Sequence, residues 1–195
     1  GFVQGHIHLC QTLFRNVAEG LSLLDWLKDR IWPLEGAHTP DSLYATARMG
    51  LDELLLGGTT AILDMGTVHH TDAIFEAAKD RGIRAVLGKA MMDEGEGIPD
   101  TLTATTDSSL QESFDLKSRW EGSSGGRLGY AFAPRFVPSC SEALLKEVAK
   151  AMAKGARVHT HASEMLDEIA LVKAQTGMDN LAYFDHLGLM GEGLT

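Results

Sequence analysis

An α/β fold is predicted, with a parallel sheet, and within it the opening part of a TIM-type (β/α) barrel. Three observations predict it. Short apolar runs alternate with segments that repeat apolar residues at helical spacing. The runs are too apolar for a sheet with one wet face, so helices must cover them. Five such runs fit in the 195 residues, whereas a complete eight-stranded barrel takes about 250.

The strand runs are residues 2–8, 59–64, 84–89, 128–133 and 156–161. The first helix, 40–56, starts at Pro40-Asp41. It carries Leu43, Ala47, Leu51, Leu54 and Leu55 on one face and stops at Gly57-Gly58. The second, 71–81, runs from Thr71-Asp72 to Gly82. Leu110, Phe114 and Leu116 mark a third over 107–120. Ser141 opens a fourth over 140–154, closed by Lys154-Gly155, and two more cover 164–176 and 178–188. The stretches 95–106 and 122–126 read as loops.

Composition narrows the function classes. Apolar residues make up 44 % and charged residues 23 %, the balance of a soluble globular chain. Acidic residues outnumber basic ones 27 to 17, for a net charge of -10. Without a basic stripe, such a chain is a poor ligand for nucleic acid or an anionic membrane. No apolar run approaches the ~18–20 residues of a membrane span, and no signal peptide opens the chain. Cys10 and Cys140 read as free thiols at strand ends, which predicts a reducing, cytoplasmic setting.

Histidine carries the chemical signal. His6 and His8 close the first strand two residues apart, so their rings project side by side. Paired neutral imidazoles suit zinc or iron. His161 closes the fifth strand, at the barrel mouth where such enzymes place their chemistry. Glu164, three residues on, can bend over the same mouth and move a proton. His159 shares the inward face one layer deeper and reads as a buried, hydrogen-bonded residue.

Five stretches carry a resemblance: Gly1-Phe2-Val3-x-x-His6-x-His8, Trp26-Leu27-x-x-x-Ile31-Trp32-Pro33-Leu34-Glu35, Gly57-Gly58-Thr59-Thr60, Phe132-Ala133-Pro134-Arg135 and His159-Thr160-His161-Ala162-Ser163-Glu164. In this order they resemble the amidohydrolase superfamily, in the branch of aminopurine and nucleoside deaminases and triazine chlorohydrolases. The resemblance implies that His6, His8 and His161 ligate one divalent metal, usually zinc, with iron as the alternative. It implies that Glu164 protonates the substrate ring while hydroxide displaces ammonia. Glu35 matches a glutamate that holds ribose hydroxyls in nucleoside deaminases. Gln11 and Arg135 match residues that read the purine in guanine-type deaminases. His69, beside His70 after the second strand, is a further candidate for substrate contact. Trp32 is read chiefly as a core residue. Asn16 departs from the small residue usual in this branch, so the first loop is expected to differ.

The resemblance further implies that the sixth-strand histidine, the eighth-strand aspartate and the flanking β-sandwich lie outside this chain. Residues 1–195 are therefore expected to be a partial metal-dependent hydrolase barrel domain. Such a piece should bind metal weakly, turn nothing over alone and pair with another copy. The expected activity of the complete protein is hydrolytic deamination of an adenosine-like nucleoside such as 5'-deoxyadenosine. The alternatives are a guanine or 8-oxoguanine deaminase, a triazine chlorohydrolase, or an inactive half barrel that binds partners along an uncovered fifth strand. The expected partners are a small purine or nucleoside and a second copy of the chain.

Overall fold

Strand β1 (Phe2–Ile7) runs parallel to β2 (Thr59–Met65), β2 to β3 (Arg84–Gly88), and β3 onward to β5 (Leu128–Tyr130). Between the last two, β4 (Ala90–Met91) extends β3 and pairs in parallel with β6 (Ala133–Pro134). Each new strand lies beside the one before it, the sequential order that right-handed βα units build. A computed structural model provides these coordinates and describes residues 1–17 and 20–195.

The helices follow the predicted punctuation. Helix α1 (Pro40–Leu56) is capped by Thr39, whose side chain accepts from the Ser42 amide, with Pro40 in the first turn. Helix α2 (Thr71–Arg81) ends at Gly82, in the left-handed conformation with φ 68° that glycine adopts without strain. Helices α3 (Thr106–Trp120), α4 (Glu142–Ala153), α5 (Leu166–Thr176) and α6 (Asn180–His186) complete the set. Thr105, Ser141 and Asp179 cap α3, α4 and α6.

The core fills the layer between sheet and helices. Leu43 and Leu51 from α1, Ile74 and Phe75 from α2, and Leu144 and Val148 from α4 are fully buried there. Phe75 stacks on Trp120 at 5.0 Å and on Tyr130 at 6.2 Å, tying α2 and α3 to β5. Truncating a buried phenylalanine of this kind costs about 3–5 kcal/mol. At Gly88 the strands approach closely: a Cβ would sit 2.2 Å from the Ala131 carbonyl oxygen, so only glycine fits.

Several expectations are corrected. The segment 23–36 is helical: Leu23–Trp26 and Trp32–Gly36 flank a π-helical turn, Leu27–Ile31. Its buried residues Leu27, Ile31 and Glu35 recur every four positions on one face, a helical spacing that the sequence itself carries. The fifth strand shrinks to a single bridging residue. Val158 pairs with Phe132 on one side and Leu194 on the other, and the flanking amides alternate between these partners. The fifth position is thus flanked on both sides, by Phe132 and by Leu194. The open edge is β1, where Phe2 and Val3 are 72 % and 74 % exposed. Cys10 and Cys140 are free as predicted, and they are buried, but each sits at a 3-10 turn rather than a strand end. Among the described residues no helix is long and apolar enough to cross a membrane.

Candidate metal centre and active site

The end of β1 and the loop after Val158 bring three imidazoles together. His8 Nε2 lies 3.1 Å from His161 Nε2, and His161 Nε2 lies 3.2 Å from His6 Nε2. The candidate ligand atoms of all three fall within 4.8 Å of one another. The other ring nitrogens decide what these atoms can do. His8 Nδ1 donates to the Met65 carbonyl at 2.8 Å, and His161 Nδ1 to the Arg135 carbonyl at 2.7 Å. A carbonyl oxygen only accepts, so each Nδ1 holds the ring's proton and each Nε2 carries a bare lone pair.

Charge on the rings does not relieve this. Burial, followed by the Arg135 guanidinium, holds His8 well below the ordinary imidazole range. Burial drives His161 down to about 4. Both are neutral near pH 7, and two lone pairs face each other with no proton between them. A cation between them resolves the repulsion. Nitrogens bound tetrahedrally to zinc at about 2.0–2.1 Å lie roughly 3.3 Å apart, close to the spacing seen. The donor set, three neutral imidazole nitrogens with two tautomers fixed by carbonyls, therefore fits a divalent zinc-like ion.

His6 is oriented differently. Its Nδ1 meets His159 Nε2 at 2.7 Å. His159 is buried and hydrogen-bonded, as predicted, and burial pushes it down to about 3, so it stays neutral beneath His6.

A cavity of 130 Å³ opens above these rings, lined by His6, His8, Gln11, Trp26, Leu27, Arg135, Phe136, His161 and Glu164 among others. Ser163, at φ 59°, turns the chain in the left-handed region just before Glu164. Such strain persists where the surroundings enforce it and is common near functional groups. Burial and the nearby Glu168 carboxylate raise the Glu164 pKa. A carboxyl group shifted in that direction both holds and releases protons nearer neutrality. An open cleft of 600 Å³ adjoins, bordered by His8, Gln11, Asn16 and Trp26. Asn16 takes φ 65°, a conformation asparagine tolerates.

The other sequence candidates separate. Gln11 and Arg135 line the cavity, while Glu35 is not among its lining residues. Glu35 is 2 % exposed and pairs with Arg135: Nη1 donates to Oε2 at 2.6 Å and Nη2 to Oε1 at 3.3 Å. Gln11 Nε2 donates to Oε1 at 2.8 Å. His69 is half-buried, feels the charges of Lys89 and Glu112, and is not among the residues lining the cavity. Trp32 is a core residue, packed with Leu27, Ile31 and Met65. Sequence reasoning misses the Met65 and Arg135 carbonyls, since every residue has a carbonyl and no side-chain pattern marks these two. It also misses Asp64, whose Oδ1 takes the Leu9 amide at 2.7 Å and so anchors the turn after His8. An acidic residue closing an apolar strand is the one signal that points to it.

Known proteins share this architecture. A 5-methylthioadenosine/S-adenosylhomocysteine deaminase of Carboxydothermus hydrogenoformans is 33 % identical over 192 residues, covering 97 % of this chain and 42 % of the relative. A 5'-deoxyadenosine deaminase of Methanothermobacter thermautotrophicus is 35 % identical over 192 residues, covering 98 % and 43 %. The chain thus spans less than half the length of these curated relatives. Among solved structures, guanine deaminase of E. coli superposes with a TM-score of 0.90 at 35 % identity, covering all of this chain and 45 % of that one. An adenosine deaminase of Xanthomonas campestris with bound zinc superposes with a TM-score of 0.87 at 28 % identity, covering 100 % and 43 %. These likenesses place the sheet and its helices as part of a (β/α) barrel. The amidohydrolase family model matches residues 1–192, and on that match the chain belongs to the amidohydrolase family.

Proposed function

We propose that these residues form the first part of the active site of a hydrolytic deaminase acting on an adenosine-like nucleoside, of the 5'-deoxyadenosine type. The facing Nε2 lone pairs of His8 and His161, with His6 beside them, carry this reading. His6, His8 and His161 would hold one divalent cation, with zinc the first choice. Such an ion, when bound, makes hydroxide available near neutral pH and polarises the bond under attack. Glu164 holds a proton at the cavity edge and delivers it to the ring nitrogen next to the carbon that loses ammonia. Arg135 and Gln11 orient the ring from the cavity wall, and Trp26, Leu27 and Phe136 exclude water beside it. The relatives named for deamination of adenosine derivatives support the choice of nucleoside.

A second reading, a free oxopurine as substrate, is favoured by one observation. Both Glu35 oxygens are taken by Arg135 and Gln11, leaving that carboxylate no evident role on a sugar. Under either reading, residues 1–195 act as a portion of one hydrolase barrel domain, and cytoplasmic placement and self-association belong to the same proposal.

The test is ammonia release by the full-length protein that carries these residues, loaded with zinc. The panel is 5'-deoxyadenosine, methylthioadenosine, S-adenosylhomocysteine, adenosine and guanine. Turnover of the adenine nucleosides supports the first reading, and turnover of guanine alone supports the second. No release from any of them, by a protein shown to hold zinc, overturns both.

A further inference from the structure

Glu35 and Arg135 lie 100 residues apart in the chain and are both almost fully buried. Their contact is two-pronged, and Gln11 adds a third donor to the same carboxylate. Cys10 Sγ faces Oε1 as well, at 3.8 Å. A vicinal diol needs carboxylate oxygens that face the ligand. Here they face the guanidinium and the amide instead. A sugar that took them would strand a buried guanidinium without its counter-charge, which is strongly unfavourable. The two donors that Glu35 restrains, Arg135 and Gln11, both line the cavity, whereas Glu35 does not.

We infer that Glu35 is a positioning residue: it holds the Arg135 guanidinium and the Gln11 amide at the cavity wall, where they meet acceptor atoms of the substrate ring, and it does not itself hold a sugar diol. This rests on the reading above that the cavity takes a purine ring, and it applies to a nucleoside and to a free base alike, since both present ring acceptors. It assigns recognition to a donor-rich wall built by a buried ion pair.

The experiment compares adenosine with its analogue lacking both vicinal hydroxyls, using the zinc-loaded full-length protein and its Glu35→Gln variant. Glutamine sets an N–H against a guanidinium N–H, so the guanidinium must shift. The expected result is a KM raised by the same factor for both compounds, about ten- to a hundredfold, with kcat changed less. In an Arg135→Gln background, Glu35→Gln should then add less than about twofold. A KM that rises for adenosine but not for the analogue overturns the inference, as do fully additive effects. A crystal structure of the variant gives a readout independent of turnover. A displaced guanidinium supports the inference and an unmoved one overturns it. If no purine is deaminated, the proposed activity falls while this structural comparison still decides the role of Glu35. Should Glu35→Gln fail to accumulate, Glu35→Asp keeps the charge, retracts it by one methylene and yields the same two readouts.

Discussion

His8 and His161 face each other through Nε2 atoms 3.1 Å apart while the opposite nitrogen of each ring is bonded to a backbone carbonyl. The carbonyls of Met65 and Arg135 thereby fix both tautomers before any ligand arrives. The end of β1 and the loop after Val158 thus supply the imidazoles, and two neighbouring backbones tell each ring where to keep its proton.

Zinc should therefore stabilise the protein. A ligand at a hundredfold its Kd adds about 2.7 kcal/mol. We expect a zinc-dependent rise in melting temperature that a chelator reverses, and loss of most of that rise in His161→Ala. Thermal melts with and without zinc test this. An undiminished shift in the variant would show that the ion binds elsewhere.

Asp64 should make stability depend on pH in an unusual direction. Burial raises its pKa from 3.8 to about 7, opposed by the Leu9 amide. Between those values the folded protein holds a proton that the unfolded chain has released. Stability from this group is therefore present at low pH and is lost as pH rises through the window, by up to about 4 kcal/mol. Asp64→Asn removes the dependence while keeping an acceptor for Leu9. Urea denaturation of both proteins at about pH 5 and about pH 8 measures the difference. A wild-type advantage that grows with pH contradicts the assignment.

Lys89 should tolerate one substitution and its partner should not. The lysine side chain is fully buried, paired with Glu112 at 2.7 Å and bonded to the Val68 carbonyl. Lys89→Met fills the space without charge and leaves Glu112, which is half-exposed, free to hydrate. Its stability should stay within about 1 kcal/mol of the parent. Glu112→Ala strands a buried ammonium and should cost about 3 kcal/mol. Equal costs for the two changes in denaturant titrations would contradict this asymmetry.

The two thiols should be inert in the folded protein. Burial, with Glu35 and Asp64 nearby, pushes Cys10 up, and burial pushes Cys140 up to about 12. The thiolate is the reactive form, so neither should alkylate with iodoacetamide under mildly basic conditions until the chain unfolds. Mass spectrometry of native and denatured samples reads this directly, and rapid native labelling of either residue would contradict it.

By itself the sequence determined the first four predicted strands and the six helices from Pro40 onward, because apolar periodicity and helix punctuation are local. Pro40 starts α1 and Gly82 ends α2 where expected. It also determined that His6 and His8 share one side of a strand, since alternation in a strand is fixed by backbone geometry. Only the tertiary structure decided that His161 Nε2 reaches them and that Met65 and Arg135 offer the carbonyls that set the tautomers. It also decided that Glu35 spends its charge on Arg135. Such pairings depend on how distant segments pack, and a carbonyl belongs to every residue alike. Side-chain pattern therefore identifies the chemical groups, while packing selects which of them meet.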